Sequence, residues 1–520
     1  MASISAHFVK PTDAQFILDG IHRQFQLGPE TMIELTRQFL EEFKVGLGNY
    51  NHPMAMIPTF VTGVPNGTET GTFLALDLGG TNMRVCEVVL HGDTTFTLRQ
   101  QKYKVSDALK TGEATVLFDY LADSVDAFLT SHPPPSGHSN RDPFAEPTPD
   151  VVHLGLTFSF PVEQTALDSG KILTWTKGFS AKHAIGNDVV KLLQDAFDRK
   201  HMHVKCVALV NDTVGALLSR AYTAGGCMLG AIFGTGTNGA YVEDLSNIRK
   251  LANDPAGSRG GLMVVNTEWG AFNNSRSHLP STPFDNALDR TSINPSFQAF
   301  EKMISGMYLG EVTRNILLSL VDAAPKSLLF SGKTTAALNA QWGFDTSVMS
   351  GVEEAWEGKD SKNSTGGNPV PQLSAFDSPE KLEPEVKARL ERVRAVLVKD
   401  LGFKDADVSL RDAAIVRWAS SLVARRAALL SGLAVATVLI QTGRAVLPNQ
   451  GGKPTKNEPK IGVGVDGSLI EFYPHFEETL RESLRILVGA EVEKRVDIGM
   501  AKDGSGVGAA LCALQAIKQL

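Results

Sequence analysis

Residues 73–90, FLALDLGGTNMRVCEVVL, carry the pattern that decides the fold. An apolar run ends at a short turn, Gly79-Gly-Thr-Asn82, and a second strand-like run follows the turn. Two such runs around a tight turn are typical of a β-hairpin. Glycines allow a phosphate to approach the backbone N–H groups of the turn, and Thr and Asn side chains add donors. The stretch therefore predicts a hairpin whose turn binds phosphate.

The same unit recurs twice along the chain. Residues 229–243 read LGAIFGTGTNGAYVE, and residues 461–473 read IGVGVDGSLIEFY. Each predicts a further hairpin with a tight turn of the same kind. The first two units lie about 155 residues apart. This spacing indicates a duplicated domain that faces itself across a cleft.

Two nucleotide-binding motifs are matched only in part. Gly234-Thr-Gly-Thr-Asn-Gly239 satisfies G-x-G-x-x-G, but a dinucleotide site needs a helix after the turn, and residues 240–244 predict a strand. Gly332-Lys333-Thr334 resembles the end of a P-loop, but Ser327 stands where that motif requires glycine. We reject both motifs.

The composition and charge of the chain limit which partners and which cellular location we expect. The chain has 520 residues, 50 of them basic and 57 acidic, which gives a net charge of −7. No segment is strongly basic, so we expect no nucleic-acid partner. The longest apolar run, 427–440, is shorter than the roughly 20 residues of a membrane span, so we predict a buried helix and no membrane association. The N-terminus lacks a leader pattern and the four cysteines lack CxxC spacing, which favours a reducing, cytoplasmic location.

Helices and loops are also predicted outside the repeated units. The spacing of apolar residues predicts a helix around residues 16–25 and a second helix from Pro29 to Phe43. Surface loops are predicted where proline, glycine and polar residues cluster without a hydrophobic period. The predicted loops are residues 131–150, 358–371 and 448–459.

Polar residues follow several apolar runs. Asn211 and Asp212 follow the strand-like run 204–210 and precede a helical pattern. Helix capping is the favoured interpretation from spacing alone. The alternative is a carboxylate at the mouth of a strand, where ligand sites of α/β proteins lie. Further candidates, each with an ordinary structural explanation as well, are Ser159, Lys177, Glu268 and Glu301.

Taken in order, these motifs resemble the eukaryotic hexokinases. The matching segments are 76–85, 211–215 and 234–238 for phosphate, 156–161 with 175–179 for sugar, 464–468 for adenosine and 501–510 before the last helix. The resemblance runs from about residue 15 to the C-terminus. Details such as Asn266-Thr-Glu-Trp-Gly270 are most similar to fungal glucokinases.

The resemblance implies an α/β fold of the actin-like, ribonuclease-H-like duplicated type, with a small and a large domain flanking a deep cleft. Residues 71–208 would form the small domain, and the C-terminal helix, 505–520, would return to it. Residues 1–63 and 212–499 would form the large domain. The crossings near 64–70, 209–211 and 500–504 would be hinges.

The resemblance also implies ATP-dependent phosphorylation of glucose, and of related aldohexoses such as mannose, at the 6-hydroxyl in the first step of glycolysis. Asp212 would accept the proton of that hydroxyl, and Lys177 would add positive charge near the transferring group. Asp77 would hold Mg²⁺ through water. The implied sugar ligands are Ser159, Thr176, Lys177, Asn211, Asp212, Asn238, Glu268 and Glu301. The implied ATP contacts are Asp77, Gly79, Gly80, Thr81, Asn82, Arg84, Thr235, Gly467, Ser468 and Ser505.

One position departs from some relatives, and two other classes of protein stay open. Met307 stands where some relatives have a lysine that reaches the nucleotide, so we expect that contact to be absent.

A sugar sensor of the same fold would lose the proton acceptor or the phosphate turns. An actin-like ATPase would lack the sugar residues. The chain has the proton acceptor and the phosphate turns as well as the sugar residues. We expect the protein to be a monomer or a homodimer.

Overall fold

The computed structural model describes residues 11–79, 82–132, 151–175, 178–358 and 369–519. Its strands are β1 (Ile57–Pro58), β2 (Thr70–Leu78), β3 (Asn82–His91), β4 (Phe96–Lys104), β5 (Val152–Phe158), β6 (Val162–Ala166), β7 (Ser169–Ile172), β8 (Val204–Val210), β9 (Leu229–Phe233), β10 (Thr237–Asp244), β11 (Leu262–Asn266), β12 (Ile461–Asp466) and β13 (Val496–Met500).

The helices are α1 (Pro11–Phe25), α2 (Pro29–Gly48), α3 (Asp107–Thr111), α4 (Ala114–Ser131), α5 (Val189–Arg199), α6 (Asp212–Ala224), α7 (Pro283–Thr291), α8 (Glu301–Ile304), α9 (Gly306–Val321), α10 (Ala336–Asn339), α11 (Thr346–Glu357), α12 (Pro384–Leu401), α13 (Leu410–Gln441), α14 (Ser468–Phe472), α15 (Phe476–Val488), α16 (Ala490–Glu493) and α17 (Gly504–Gln519).

Two mixed sheets organise the described residues. The smaller sheet has the strand order β4-β3-β2-β5-β8, and the larger has the order β1-β11-β10-β9-β12-β13. β2 and β3 pair antiparallel in the smaller sheet, and β9 and β10 pair antiparallel in the larger. The hairpins predicted at 73–90 and 229–243 are therefore confirmed. The division of the chain into domains with the bounds given above stays a prediction.

The third predicted hairpin, at 461–473, is wrong. β12 pairs in parallel with both β9 and β13, and the residues after it form the short helix α14. Leu469 and Tyr473 point inward while Phe472 is exposed, which is helical spacing. Five residues that are mostly apolar fit the strand period and the helix period equally well, so the sequence did not separate the two structures.

Two helices lie between the sheets. α17 packs on β2, β5 and β8 of the smaller sheet, and α6 packs on β9 and β12 of the larger one. The two helices also pack on each other. A Cβ atom added at Gly508 of α17 would overlap the backbone of Gly215 of α6, so glycine is required at this helix crossing. The contact brings the two sheets close together through a single helix pair.

The N-terminal and longest helices belong to the core beside the larger sheet. α1 and α2 form as predicted, although α2 extends to Gly48. Of the described helices, α13 is the one long and apolar enough to cross a membrane, and 89% of its most apolar window is buried in the protein. This confirms the predicted buried helix at 427–440.

The structure describes one of the three predicted loops in full, and all four cysteines. Residues 448–459 contain no helix or strand, as predicted, whereas most of the other two predicted loops, 133–150 and 359–368, lies outside the described residues. All four cysteines are buried and unpaired. Burial raises the pKa of the Cys86 thiol to about 12, so this thiol stays protonated near neutral pH.

Candidate functional site

Three parallel strands of the smaller sheet end at one edge. β2 pairs with β5, and β5 with β8, so that Asp77 lies opposite Thr157 and Thr157 opposite Val210. Ser159 and Asn211 follow β5 and β8, and both therefore lie at the same edge as Asp77. This is the edge at which α/β proteins bind ligands.

Asn211 and Asp212 begin helix α6. Asn211 Oδ1 accepts hydrogen bonds from the Thr213 N–H at 2.9 Å and from the Thr213 hydroxyl at 2.6 Å. Asp212 Oδ1 accepts from the same N–H at 2.9 Å. Asn211 is the N-cap, as the capping interpretation predicts. Asn211 caps the helix while Asp212 occupies its first turn, so capping and a role for Asp212 as a base are compatible.

A cluster of carboxylate and amide groups lies at the turn between β11 and the next helical segment. Glu268 Oε1 accepts hydrogen bonds from Asn238 Nδ2 at 3.1 Å and from Asn266 Nδ2 at 2.8 Å. Asn238 Nδ2 also donates to Asn266 Oδ1 at 2.8 Å. These bonds hold the Glu268 carboxylate beside two amides, which together offer several donors and acceptors to a polyol.

Glu301 joins the same cluster through Thr237. Glu301 Oε2 accepts a hydrogen bond from the Thr237 N–H at 3.0 Å, and the Thr237 hydroxyl accepts one from Trp269 Nε1 at 3.0 Å. Thr237 thus connects Glu301 to the residue that follows Glu268. The structure brings Asn238, Glu268 and Glu301 together, and their role in sugar binding stays a prediction. Asn266 and Thr237 belong to the same cluster and were not predicted, although both stand in quoted motifs.

A cavity of about 180 Å³ lies between the smaller sheet and the start of α17. Three residues predicted to contact ATP line it: Asp77, Arg84 and Ser505. Other lining residues were not predicted, among them Gln100, Asp466 and Asp503. The first turn of α17, residues 504–506, also lines the cavity, and the N-terminus of a helix attracts anions.

The charged side chains that line this cavity are one arginine, Arg84, and three aspartates, Asp77, Asp466 and Asp503. Arg84 donates to Asp77 Oδ2 from Nη2 at 2.6 Å and from Nε at 3.1 Å. Burial by itself would lower the pKa of Arg84, but the charge and hydrogen bonds of Asp77, with Cys86 and Asp503, raise it. Burial raises the pKa of Asp466, and the charge of Asp212 adds to this effect. The charge of Asp212 therefore acts on one residue that lines the cavity.

The cavity suits MgATP. Its carboxylates are the hard oxygen donors that Mg²⁺ prefers, while Arg84 and the start of α17 suit phosphate oxygens. Within the described ranges, no three His, Cys, Asp or Glu side chains lie close enough to hold a metal ion directly. Mg²⁺ retains several waters and needs few protein ligands when phosphates are present. Binding by Asp77 through water therefore fits the cavity.

The tight turn between β9 and β10 lies beside the start of α14. A Cβ atom at Gly467, which has φ of 118°, would overlap the backbone of Phe233 and Gly234. The backbone of the turn therefore touches the residue that directly precedes α14. Thr235 and Ser468, both predicted ATP contacts, are exposed on these adjoining segments.

The residues from Glu301 onward form two helices rather than one continuous helix. Two helices, α8 and α9, meet at Ser305, which is extended with φ −91° and ψ 149°. The Gly306 N–H donates to Gly234 O at 2.7 Å, and the Met307 N–H donates to the carbonyl of the next turn residue at 3.2 Å. These hydrogen bonds to the turn replace hydrogen bonds within a helix, and they fix the turn against the start of α9.

The remaining predicted residues divide into two groups. Gly79 and Asn82 close the first turn through a hydrogen bond from the Gly79 N–H to Asn82 O at 3.0 Å. Four predicted site residues lie outside the described part of the chain: Gly80, Thr81, Thr176 and Lys177.

Comparison with known proteins identifies the family. Two family models, both described as hexokinase, match residues 17–222 and residues 228–367 with 371–515. The glucokinase of Aspergillus niger is 39% identical over 519 residues, with 96% of each chain covered. Glucokinase-1 of Saccharomyces cerevisiae is 38% identical over 532 residues, which cover 96% of this chain and 97% of the relative.

A solved structure gives the same result. The hexokinase of Schistosoma mansoni complexed with glucose aligns with a TM-score of 0.76 at 33% identity, covering 98% of this chain and 100% of the other. The duplicated actin-like fold implied by the resemblance is therefore confirmed. Since the two family models span most of the chain and the relatives match it over nearly its whole length, this chain belongs to the hexokinase family.

Proposed function

We propose that this chain transfers the γ-phosphoryl group of ATP to the 6-hydroxyl of glucose. The observation that carries the proposal is the adjacency of two sites. The cluster of Asn238, Glu268 and Glu301 offers polar groups for a sugar. The turn at 234–236 contacts Glu301 on one side and Gly467 on the other, and Gly467 directly follows Asp466 of the cavity. A sugar and a nucleotide bound side by side have the arrangement that phosphoryl transfer requires.

Asp212 is the proton acceptor in this proposal. The 6-hydroxyl oxygen forms a bond to the γ-phosphorus, the bond between that phosphorus and ADP breaks, and the hydroxyl proton moves to the Asp212 carboxylate. Mg²⁺ bound at the phosphates would neutralise part of their charge. Arg84 and the first turn of α17 bind phosphate oxygens, and Lys177 adds positive charge near the transferring group.

Glucose recognition follows from hydrogen-bond pairing. The sugar ligands are Ser159, Thr176, Lys177, Asn211, Asn238, Glu268 and Glu301. A site of buried polar groups rejects a ligand that leaves them unpaired. We therefore infer that glucose is the best substrate, mannose an acceptable one and fructose a poor one.

Domain closure is part of the same proposal. Ser159 follows a strand of the smaller sheet, whereas Glu268 and Glu301 belong to segments beside the larger sheet. A sugar that contacts both sides binds the closed form better, and so shifts the population toward it. The reaction would take place in the cytoplasm, as the first step of glycolysis, and the enzyme would be a monomer or a homodimer.

A coupled assay with ATP and a panel of hexoses tests the proposal. We expect rapid ADP formation with glucose and mannose, and slow formation with fructose. A chain that binds glucose but produces no ADP would be a sugar sensor. A chain that hydrolyses ATP without any response to hexoses would be an actin-like ATPase.

A further inference from the structure

Helix α2 contacts both segments that carry the sugar-binding glutamates. The Phe39 ring lies 4.0 Å from the Phe272 ring and 5.3 Å from the Phe300 ring, measured between centroids. Phe272 and Phe300 also contact each other, at 5.6 Å. All three side chains are fully buried. Phe300 directly precedes Glu301, and Phe272 lies four residues after Glu268.

A second side chain of α2 holds the end of the turn that begins at Glu268. Glu42, three residues after Phe39 and thus on the same helix face, accepts a hydrogen bond from the Asn273 N–H at 3.1 Å on Oε1. Glu268 and Asn273 have φ of 55° and 49°. Asparagine adopts this left-handed conformation readily, but for Glu268 it is unfavourable and has to be held by the surroundings.

The two glutamate segments are also bonded to each other. The Phe300 N–H donates to Gly270 O at 3.1 Å, so the turn after Glu268 and the start of α8 form one unit. Phe39 packs on both parts of this unit, and Glu42 fixes its far end. No residue of α2 is close enough in the sequence to suggest this contact.

We propose that Phe39 and Glu42, here called the α2 pair, are positioning residues that set the separation and direction of the Glu268 and Glu301 carboxylates for sugar binding. The inference rests on the proposed function, because it assigns these two carboxylates to glucose. The α2 pair acts through its contacts with Phe272, Phe300 and Asn273.

The electrostatics of Glu42 support this role. Burial raises the pKa of Glu42 to about 7, only partly offset by the hydrogen bond from Asn273. Burial of a carboxylate is unfavourable for the stability of the fold. A polar side chain that weakens the fold is one that can be retained for the geometry of a site.

Phe43 provides a matched control for Phe39. It is equally buried on the same helix, but among rings it contacts Tyr241, at 5.7 Å, and Phe39. Phe39→Leu and Phe43→Leu remove similar buried volume, so both should lower Tm by similar amounts. Only the first removes the support of the glutamate segments.

Glucose binding by calorimetry and steady-state kinetics test the proposal. We expect Phe39→Leu to raise the Kd and KM for glucose by about tenfold, with kcat changed by less than about threefold, because a displaced carboxylate weakens ground and transition states alike. Phe43→Leu should leave glucose Kd within about twofold. Equal changes in Kd for the two variants, or a loss of Tm without a change in Kd, would overturn the proposal.

Substitutions of Glu42 give an independent test. Glu42→Met keeps the length but removes the acceptor for the Asn273 N–H, and we expect it to raise glucose KM about fivefold or more. Glu42→Gln keeps an acceptor and should recover most of the binding. A Glu42→Met variant with unchanged glucose KM and Kd would overturn the role of Glu42. A wild-type chain that does not bind glucose would overturn the proposed function itself.

Discussion

Glu42→Gln separates the stability of α2 from its contribution to sugar binding. The pKa of Glu42 is about 7 in the folded chain against an ordinary value of 4.5. Between these two values the folded state binds more protons than the unfolded state, so the free energy of unfolding falls as the pH rises. Below about pH 4.5 the carboxyl group does not weaken the fold, and above about pH 7 the loss is complete.

The magnitude follows from the same two values. Their difference corresponds to at most about 3.5 kcal/mol, at about 1.4 kcal/mol for each tenfold change in proton affinity. Because Glu42 is only partly buried, water screens its charge, and we expect about half of that amount. Glutamine keeps the acceptor for the Asn273 N–H without a charge. Glu42→Gln should therefore stabilise the chain by about 1–2 kcal/mol at pH 8 and have almost no effect at pH 4.5.

Thermal unfolding of the two proteins at pH 5, 6, 7 and 8 provides the assay. For a chain of this size the expected gain in Tm at pH 8 is about 1–3 °C, and it should shrink steadily toward pH 5. Glu41→Gln, a change at the exposed neighbouring residue, controls for a general effect of charge on α2. A Glu42→Gln protein that is less stable than wild type at pH 8, or a gain that does not depend on pH, would refute the reasoning.

Four further outcomes are expected. Asp212→Ala should lower kcat by about 10²–10⁴ while calorimetry still detects glucose binding; full activity would remove Asp212 from the mechanism. Arg84→Met should raise the KM for ATP by about tenfold or more, because a charged hydrogen bond is worth about 1.5–3 kcal/mol, and an unchanged KM for ATP would place the phosphates elsewhere. The kcat/KM for fructose should be well below that for glucose in the coupled assay, and comparable values would indicate a broad hexokinase. D-Xylose, which lacks the 6-hydroxymethyl group, should raise the ATPase rate above the sugar-free rate by closing the cleft; no stimulation, together with no glucose-induced decrease in radius of gyration, would point to a preformed site.

Local structure was predictable where the spacing of apolar residues and the turn residues indicated the same element. The hairpins at 73–90 and 229–243 each combine two strand-like runs with a turn of two or more small polar residues, and both form. The segment at 461–473 has the same kind of turn, but the residues after it fit two periods. Packing of Leu469 and Tyr473 against the core decided for a helix there.

Partners from distant parts of the chain were not predictable. Asp466 and Asp503 line the same cavity as Asp77 because β12 pairs with β9 and because α17 returns to the smaller sheet. Strand pairing and helix docking of this kind are long-range choices that no local pattern records. The contact between Phe39 and the glutamate segments is of the same type, since the whole smaller sheet lies between α2 and Glu268 in the sequence.

Helix α6 connects the two halves of the candidate site. It begins at Asp212, and at its other end the Tyr222 hydroxyl donates to Thr95 O at 2.9 Å and accepts from the Gly92 N–H at 3.1 Å. The Gly215 and Gly508 backbones bring α6 against α17, whose first turn lines the cavity. The position of Asp212 relative to the cavity is therefore set by helices packed between two sheets, which is a stiffer support than a loop. This explains why the last helix of the chain is needed to complete a cavity that begins at β2.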